Sequence, residues 1–95
     1  MGLPATKPLE RQIEQQLKKA VSRIGGLCLK FTSPGCAGVP DRVVLLPGGR
    51  LIFVEIKRPG EVPRPLQMKR LLQLTALGLS AVWIDRYEAI EELLS

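Results

Sequence analysis

The sequence predicts an α/β fold in which helices flank a mixed four-stranded sheet. Two observations indicate this fold: apolar residues recur at helical spacing near the start of the chain, and four short apolar runs bounded by glycine and proline resemble strands. The predicted order is α, β, β, β, α, β, α. Because a helix joins the third and fourth strands, they should be parallel, whereas the earlier strands, joined by hairpins, should be antiparallel.

The first half of this order begins with an amphipathic helix from Pro8 to Ile24, with Thr6 near its start and Gly25-Gly26 at its end. Residues 27–32 alternate between apolar and other side chains, as a half-buried strand does. Residues 33–40, rich in glycine and proline, are expected to form a loop.

The second half is punctuated by turn and helix-start residues. Pro47 to Arg50 reads as the turn of a hairpin, and Pro65 is well placed as the first residue of a helix that stops at Gly78. The predicted elements are strands at 42–46 and 51–57, a helix at 65–77, a strand at 79–84 and an acidic helix at 87–94.

Length and charge limit the possible classes of protein. Ninety-five residues fit one domain, residues 1–95, with no room for a second. The net charge is +5, but residues 1–84 hold 13 basic and 5 acidic side chains, a net charge of +8. A polyanionic partner such as nucleic acid fits this balance, because lysine and arginine neutralise phosphates. The alternative is a basic surface that serves solubility alone.

The cysteine pattern and hydropathy argue against other classes. Cys28 and Cys36 lack a CxxC spacing, and the chain has no histidine, so a structural zinc site is not expected and both should be free thiols in a reducing compartment. No apolar run approaches the roughly 20 residues needed to cross a bilayer, and residues 1–7 lack a signal-peptide core. We therefore expect a soluble, intracellular protein with no membrane partner.

Asp41, Glu55 and Lys57 are the candidate catalytic residues. Strand alternation places Glu55 and Lys57 on one face, and Asp41 starts the neighbouring strand of the hairpin, so two carboxylates should converge at the strand ends. With the carbonyl of Ile56 they could hold Mg²⁺ or Mn²⁺, while Lys57 orients a hydroxide or neutralises the transition state of phosphodiester hydrolysis. The alternative is a solvent-facing Glu-Lys pair on an amphipathic strand.

The surroundings of these residues resemble a known family. The order of Pro40-Asp41 and Glu55-Ile56-Lys57 on the second and third strands resembles the PD-(D/E)XK nuclease superfamily, and the resemblance is closer to its VRR-NUC branch. The motifs that carry it are Thr32-Ser33-Pro34-Gly35, Gly38-Val39-Pro40-Asp41-Arg42, Leu46-Pro47-Gly48-Gly49-Arg50, Val54-Glu55-Ile56-Lys57 and Pro65-Leu66-Gln67. The resemblance implies a restriction-endonuclease-like αβββαβ(α) core and covers nearly the whole chain.

The resemblance also assigns roles to single residues. Glu10 matches the family's N-terminal acidic residue, Asp41 and Glu55 its metal-binding pair, Lys57 its catalytic lysine and Gln67 its glutamine on the following helix. Outside the family, Glu10 would be a favourable first-turn acid and Gln67 an exposed helix former. The chain departs from the family at Cys36-Ala37, where basic residues are common, and at Arg64, where a capping Ser or Thr is common.

The resemblance implies a metal-dependent, structure-selective DNA endonuclease, stand-alone and of the virus type, in the cytoplasm of a host cell if viral. A homodimer would present two active sites to branched DNA such as a four-way junction. The alternatives are a non-catalytic nucleic-acid-binding module, or an assembly subunit of a replication or repair complex that docks through the acidic segment 85–92. The expected phosphate contacts are Lys30, Arg42, Arg58 and Arg64, with Lys69 and Arg70 beside them.

Overall fold

The computed structural model describes residues 8–95, so the predicted helix-start residue Thr6 lies outside the described residues. All seven predicted elements are present, and their ends coincide with the predicted ends or lie within two residues of them. They are α1 (Glu10–Arg23), β1 (Leu27–Lys30), β2 (Arg42–Leu46), β3 (Arg50–Ile56), α2 (Pro65–Ala76), β4 (Ser80–Ile84) and α3 (Glu88–Leu94).

The four strands form one mixed sheet in the order β1-β2-β3-β4. The β1–β2 and β2–β3 pairs are antiparallel. Strands β3 and β4 are parallel because α2 carries the chain back to the end of the sheet at which β3 begins. This arrangement confirms the predicted α/β class and the predicted strand directions. Leu46 pairs with Arg50 across the Pro47–Gly49 turn, which fixes the register of the central hairpin.

One face of the sheet carries the core. Ile13, Leu17 and Val21 recur every four residues on α1, and all three are fully buried against this face. Their buried partners are Val44, Leu46, Ile52, Val54, Ile56 and Ile84 from the strands, and Ile90 from α3. The core therefore joins α1 and α3 to the same face of the sheet.

Among residues 8–95, the opposite face is covered only in part. Helix α2 packs beside β4 and buries Leu71, and the rings of Phe31 and Phe53 lie 5.5 Å apart on this side. Leu27 and Leu29 of β1 remain 59% and 47% exposed. The predicted strand 27–32 ends at Lys30, but the Phe31 amide still donates to the Asp41 carbonyl at 2.8 Å, so the chain stays alongside β2.

The start of β2 and the end of β3 meet at one end of the sheet, because Arg42 pairs with Val54. The loop 31–41 reaches this end of the sheet and is held against α2, since Arg70 Nε donates to the Ala37 carbonyl at 2.8 Å. Helix α2 starts at the same end, at Pro65. Among residues 8–95, no helix has the length and apolar character needed to span a membrane.

Candidate active site

Asp41 lies where the loop enters β2, and its carboxylate faces the end of β3. The Ile56 amide donates to Asp41 Oδ2 at 3.2 Å, a contact across fifteen positions of sequence. This hydrogen bond brings the Asp41 carboxylate next to Glu55 and Ile56, as the hairpin register predicted. The backbone of the Glu-X-Lys strand therefore orients the aspartate directly.

Glu55 is buried, with only 1% of its surface exposed. Its Oε2 atom lies 3.5 Å from Lys57 Nζ and accepts a hydrogen bond of 2.9 Å from Gln67 Nε2. Its Oε1 atom is also buried and has no hydrogen-bond partner within residues 8–95. A buried carboxylate oxygen without a partner is costly, so this atom suits a cationic ligand.

The environment of Glu55 favours its neutral form. Burial, and next the negative charge of Asp41, raise the pKa of Glu55 from 4.5 to about 7, although Lys57 opposes the shift. Two carboxylates held this close repel each other, and a bound divalent cation is the physical remedy for that repulsion. The raised pKa of Glu55 and its unpartnered Oε1 atom thus both favour a cation at this position.

Lys57 follows β3 and is buried, with 9% exposure. Its amide donates to the Ile84 carbonyl at 2.9 Å, so the end of β4 fixes its backbone. Glu55 and Lys57 are the buried charged residues among residues 8–95 and form an ion pair with each other. The solvent-facing alternative for this pair is therefore wrong: both side chains are buried, and the first turn of α2 contacts Glu55 through Gln67.

Gln67 connects α2 to Glu55. While its Nε2 donates to Glu55, its Oε1 accepts a 2.8 Å hydrogen bond from the Arg64 amide. Arg64 occupies the N-cap position without capping through its own side chain, so Gln67 satisfies the helix start from inside the first turn. One amide side chain therefore holds both the helix terminus and the buried carboxylate.

Glu10 begins α1 on the side of the site. Partial burial, and then the nearby charge of Asp41, raise its pKa, whereas Lys57 acts to lower it. These influences place Glu10, from a third element, in the neighbourhood of Asp41 and Lys57. The structure therefore brings Asp41, Glu55, Lys57 and Gln67 together by direct contacts, and Glu10 lies within range of the charges of Asp41 and Lys57.

The donor set matches a hard cation held by few protein ligands. Within residues 8–95, no group of three or more Asp, Glu, Cys or His side chains is arranged to bind a metal ion. The predicted ligands are two carboxylates, Asp41 and Glu55, and the Ile56 carbonyl, and magnesium usually takes only one or two protein carboxylates. The residues present therefore fit such an ion, with Glu55 Oε1 as the free donor.

The predicted phosphate contacts fall into two groups. The first group is exposed and lies at the same end of the sheet as the site. Lys30 ends β1, Arg58 closely follows β3, and Arg64 directly precedes α2. Arg42 differs, because its side chain is only 12% exposed and its Nε donates to Glu14 Oε2 at 3.1 Å. Arg70, too, is engaged inside the molecule, with the Ala37 carbonyl.

Two residues near the site were not singled out from the sequence. Glu14 pairs with Arg42, and Glu61, in the loop after β3, contributes to raising the pKa of Glu10. The spacing of Glu14 four positions after Glu10 was a usable signal, since such residues share a helix face. No local signal connects Glu14 to Arg42, because 28 positions separate them.

Comparisons with known proteins agree with the fold and the site. The chain is 50% identical over 76 residues to a phage protein named "Putative nuclease p44", from Acyrthosiphon pisum secondary endosymbiont phage 1, covering 80% of this chain and 82% of the relative. A solved structure described as "VRR_NUC domain" superposes with a TM-score of 0.85 at 27% identity, covering 90% of this chain and 92% of that one. No family model matches the chain.

A second solved structure, a "VRR_NUC domain protein", has a TM-score of 0.74 at 16% identity and covers 94% of this chain and 87% of its own, which supports the fold alone. The mixed sheet, with Asp41, Glu55 and Lys57 together at one end of its two central strands, defines a nuclease of the PD-(D/E)XK class. Within that class, the chain belongs to the VRR-NUC family.

Proposed function

We propose that this nuclease is a Mg²⁺- or Mn²⁺-dependent DNA endonuclease that hydrolyses phosphodiester bonds in branched DNA such as four-way junctions. One observation carries the metal dependence: the buried, unpartnered Oε1 atom of Glu55 lies on a carboxylate already close to Asp41. The negative charge of Asp41 opposes ionisation of Glu55, and a compensating cation would remove that penalty.

Asp41, Glu55 and the Ile56 carbonyl would hold the cation. When bound, a divalent cation polarises the scissile phosphate and favours ionisation of the attacking water. The role of the Ile56–Asp41 hydrogen bond is to fix the direction of one carboxylate, and that of Gln67 and Lys57 is to fix the other. The ligand geometry is therefore set before substrate arrives, which limits reorganisation during the reaction.

Lys57 provides the positive charge of the reaction centre. Its ammonium is a compact point charge on a mostly buried side chain, so it acts in a medium less screened than water. It would stabilise negative charge on the phosphoryl oxygens and orient the nucleophile. Glu10, which lies near Lys57 and Asp41, would act as a second polar group that orients water or Lys57.

The DNA substrate is supported by charge. Lys30, Arg58 and Arg64 are exposed around the site edge and suit contacts to a phosphate backbone. Preference for branched DNA rests on the family resemblance and on two-fold symmetry, since a homodimer would present two sites to opposite strands. The apolar side chains of Leu27 and Leu29, exposed on the open sheet face, offer a surface for such a dimer.

The test is cleavage of labelled single-stranded, duplex, flap and four-way-junction DNA in Mg²⁺, Mn²⁺ or EDTA. Wild-type protein should cut the junction best and only with a cation, and Glu55→Gln and Lys57→Ala should each lose most activity. Arg50→Gln is the matched control, because Arg50 contacts Leu93 and Ser95 at the far end of the sheet. Cleavage in EDTA would contradict the mechanism, and binding without cleavage would favour the non-catalytic alternative.

A further inference from the structure

Glu14 and Arg42 form a partly enclosed ion pair between α1 and β2. Arg42 Nε donates to Glu14 Oε2 at 3.1 Å, and the two side chains are 32% and 12% exposed, respectively. Among residues 8–95, this is the salt bridge that joins α1 to the sheet; the others lie within β3 and its end or between Asp85 and Arg86. A pair this enclosed is screened less by salt than a surface pair.

Both partners adjoin residues of the site. Glu14 lies one helical turn after Glu10, so the two carboxylates share a face of α1. Arg42 directly follows Asp41, whose carboxylate accepts the Ile56 amide. The pair therefore crosses from the helix that carries Glu10 to the strand start that carries Asp41.

The other contacts of this part of α1 are apolar or lie within the helix itself. Ile13 anchors the helix in the core on its apolar side, and the Leu9 amide is satisfied locally by Gln12 Oε1 at 2.6 Å. Leu9 itself gives no side-chain cap. Among residues 8–95, the Glu14–Arg42 contact is thus the side-chain hydrogen bond that links α1 to the start of β2.

We propose that Glu14 and Arg42 are positioning residues: their ion pair, which we term the α1 brace, holds Glu10 in place relative to Asp41 and the cation site. This inference rests on the proposed function and assigns Arg42 a role other than a DNA contact. An arginine that contacts phosphate needs its guanidinium available to solvent, whereas the side chain of Arg42 is mostly buried and its Nε is engaged by Glu14. The brace acts on the reaction step, because small errors in the placement of reacting groups lower rates strongly.

The experiment compares wild-type protein with Glu14→Gln, Arg42→Gln, the double variant and Arg50→Gln. Arg50 is a matched control because it also connects a helix to the sheet, through hydrogen bonds of 3.1 and 3.2 Å to the end of α3. It lies at the start of β3, which is the end of the sheet opposite the site. Three measurements are made: kcat and KM for a four-way junction in Mn²⁺, the salt dependence of DNA binding in EDTA, and the rise in Tm with Mn²⁺ concentration.

The brace predicts that each single variant lowers kcat by about tenfold or more, with KM within about twofold. The double variant should be no slower than the slower single variant, because both substitutions break one unit. The slope of DNA affinity against salt should stay unchanged, and more Mn²⁺ should be needed to raise Tm. Arg50→Gln should lower Tm yet leave kcat and KM as in wild type.

Several outcomes would overturn the brace. One is wild-type kcat in Glu14→Gln; another is loss of about one from the salt slope in Arg42→Gln, which marks a direct phosphate contact. If wild-type protein cleaves no DNA, the proposed function fails, and the Mn²⁺ titration then decides alone: weaker Mn²⁺ stabilisation in both brace variants than in Arg50→Gln supports the brace. Equal stabilisation, or none in wild type, overturns it.

Discussion

Glu55 combines two properties that a folded protein rarely combines without a function. It is a carboxylate with 1% exposure, and one of its oxygens has no hydrogen-bond partner within residues 8–95. Lys57 and Gln67 both contact the other oxygen, Oε2. The side chain is thus oriented on one side and left free on the other, which is the arrangement expected of a metal ligand.

The pKa of Glu55 predicts how stability depends on pH without a cation. Because the pKa rises from 4.5 to about 7 on folding, Glu55 is protonated in both states below pH 4.5 and ionises first in the unfolded state. The free energy of unfolding should therefore fall between pH 4.5 and 7 by on the order of 3 kcal/mol, and then level off. Denaturant unfolding in EDTA, as the difference between wild type and Glu55→Gln, measures this contribution.

A cation should reverse this loss. Mn²⁺ binds the ionised carboxylate, so it should raise the free energy of unfolding of wild-type protein at pH 8 and do little for Glu55→Gln. A difference between wild type and Glu55→Gln that stays constant across pH 4.5 to 7 would show that Glu55 titrates normally. In that case the unpartnered oxygen would lose its electrostatic support as a cation ligand.

Gln67 tests whether one amide serves two sites. Gln67→Glu keeps an acceptor for the Arg64 amide but places a second carboxylate against Glu55, so activity should fall by at least about tenfold while the helix cap survives. Gln67→Ala should lose both the hydrogen bond to Glu55 and the helix cap, and the lost cap should lower stability by about 1 kcal/mol. Cleavage rates and Tm separate these effects, with exposed Gln15→Ala as the control. Equal activity in Gln67→Glu and wild type would rule out the contact with Glu55 as important.

At the scale of elements, local patterns predicted most of the fold. Three-and-four spacing identified α1, Pro65 and Gly78 bounded α2, and alternation along β3 placed Glu55 and Lys57 on one face. What the patterns could not provide were contacts between distant segments. The Glu14–Arg42 pair and the Arg70–Ala37 hydrogen bond depend on how helices dock, and no local spacing encodes that.

The family resemblance, and not periodicity, identified Glu10 and Gln67. Glu10 is a common first-turn acid and Gln67 a common helix residue, so neither is recognisable as a site residue from local pattern alone. Their connection to the site follows only from the packing that places the starts of α1 and α2 at the same end of the sheet. The same limit explains Arg42. Its basic character suggested a phosphate contact, but the packing of α1 gave it Glu14 as a partner.

The loop before Asp41 depends on Gly38 for its approach to α2. Gly38 has φ +84°, and a Cβ there would lie 2.9 Å from both the side chain and the backbone carbonyl of Leu66. Gly38→Ala should therefore be destabilised by more than the ~1–2 kcal/mol of the left-handed conformation alone, and should also lower cleavage by shifting Asp41. Chemical denaturation and cleavage rates measure both.

Gly35 provides the matched control for that substitution. Its φ is +82°, but a Cβ at this position would have no neighbouring atom within 4 Å, so Gly35→Ala carries only the conformational cost. The contact with Leu66 predicts a larger loss of stability for Gly38→Ala than for Gly35→Ala. Equal losses would mean that the loop moves away from α2 without consequence, and that its packing does not position Asp41.

At the scale of the whole molecule, the two faces of the sheet differ. Helices α1 and α3 cover the face that carries the core, whereas among residues 8–95 α2 packs on the other face beside β4, with its first turn over the end of β3. Within residues 8–95, Leu27 and Leu29 therefore lie exposed on β1, which is also an edge strand of the sheet. Exposed apolar surface beside an edge strand is typical of an association surface, and the proposed dimer would place two active sites on the proposed junction substrate.

The proposed dimer predicts that negative charge on this face would separate the two subunits. Leu27→Glu combined with Leu29→Glu should give a monomer with nearly unchanged unfolding free energy, because both side chains are already about half exposed. Light scattering should show half the mass of wild type, and junction cleavage should change from paired cuts to single nicks. Leu72→Glu, at a leucine 64% exposed on α2, is the matched control and should remain a dimer. A wild-type protein that is monomeric at all concentrations tested, yet makes paired cuts, would show that two-fold association is not needed and that each cut is an independent event.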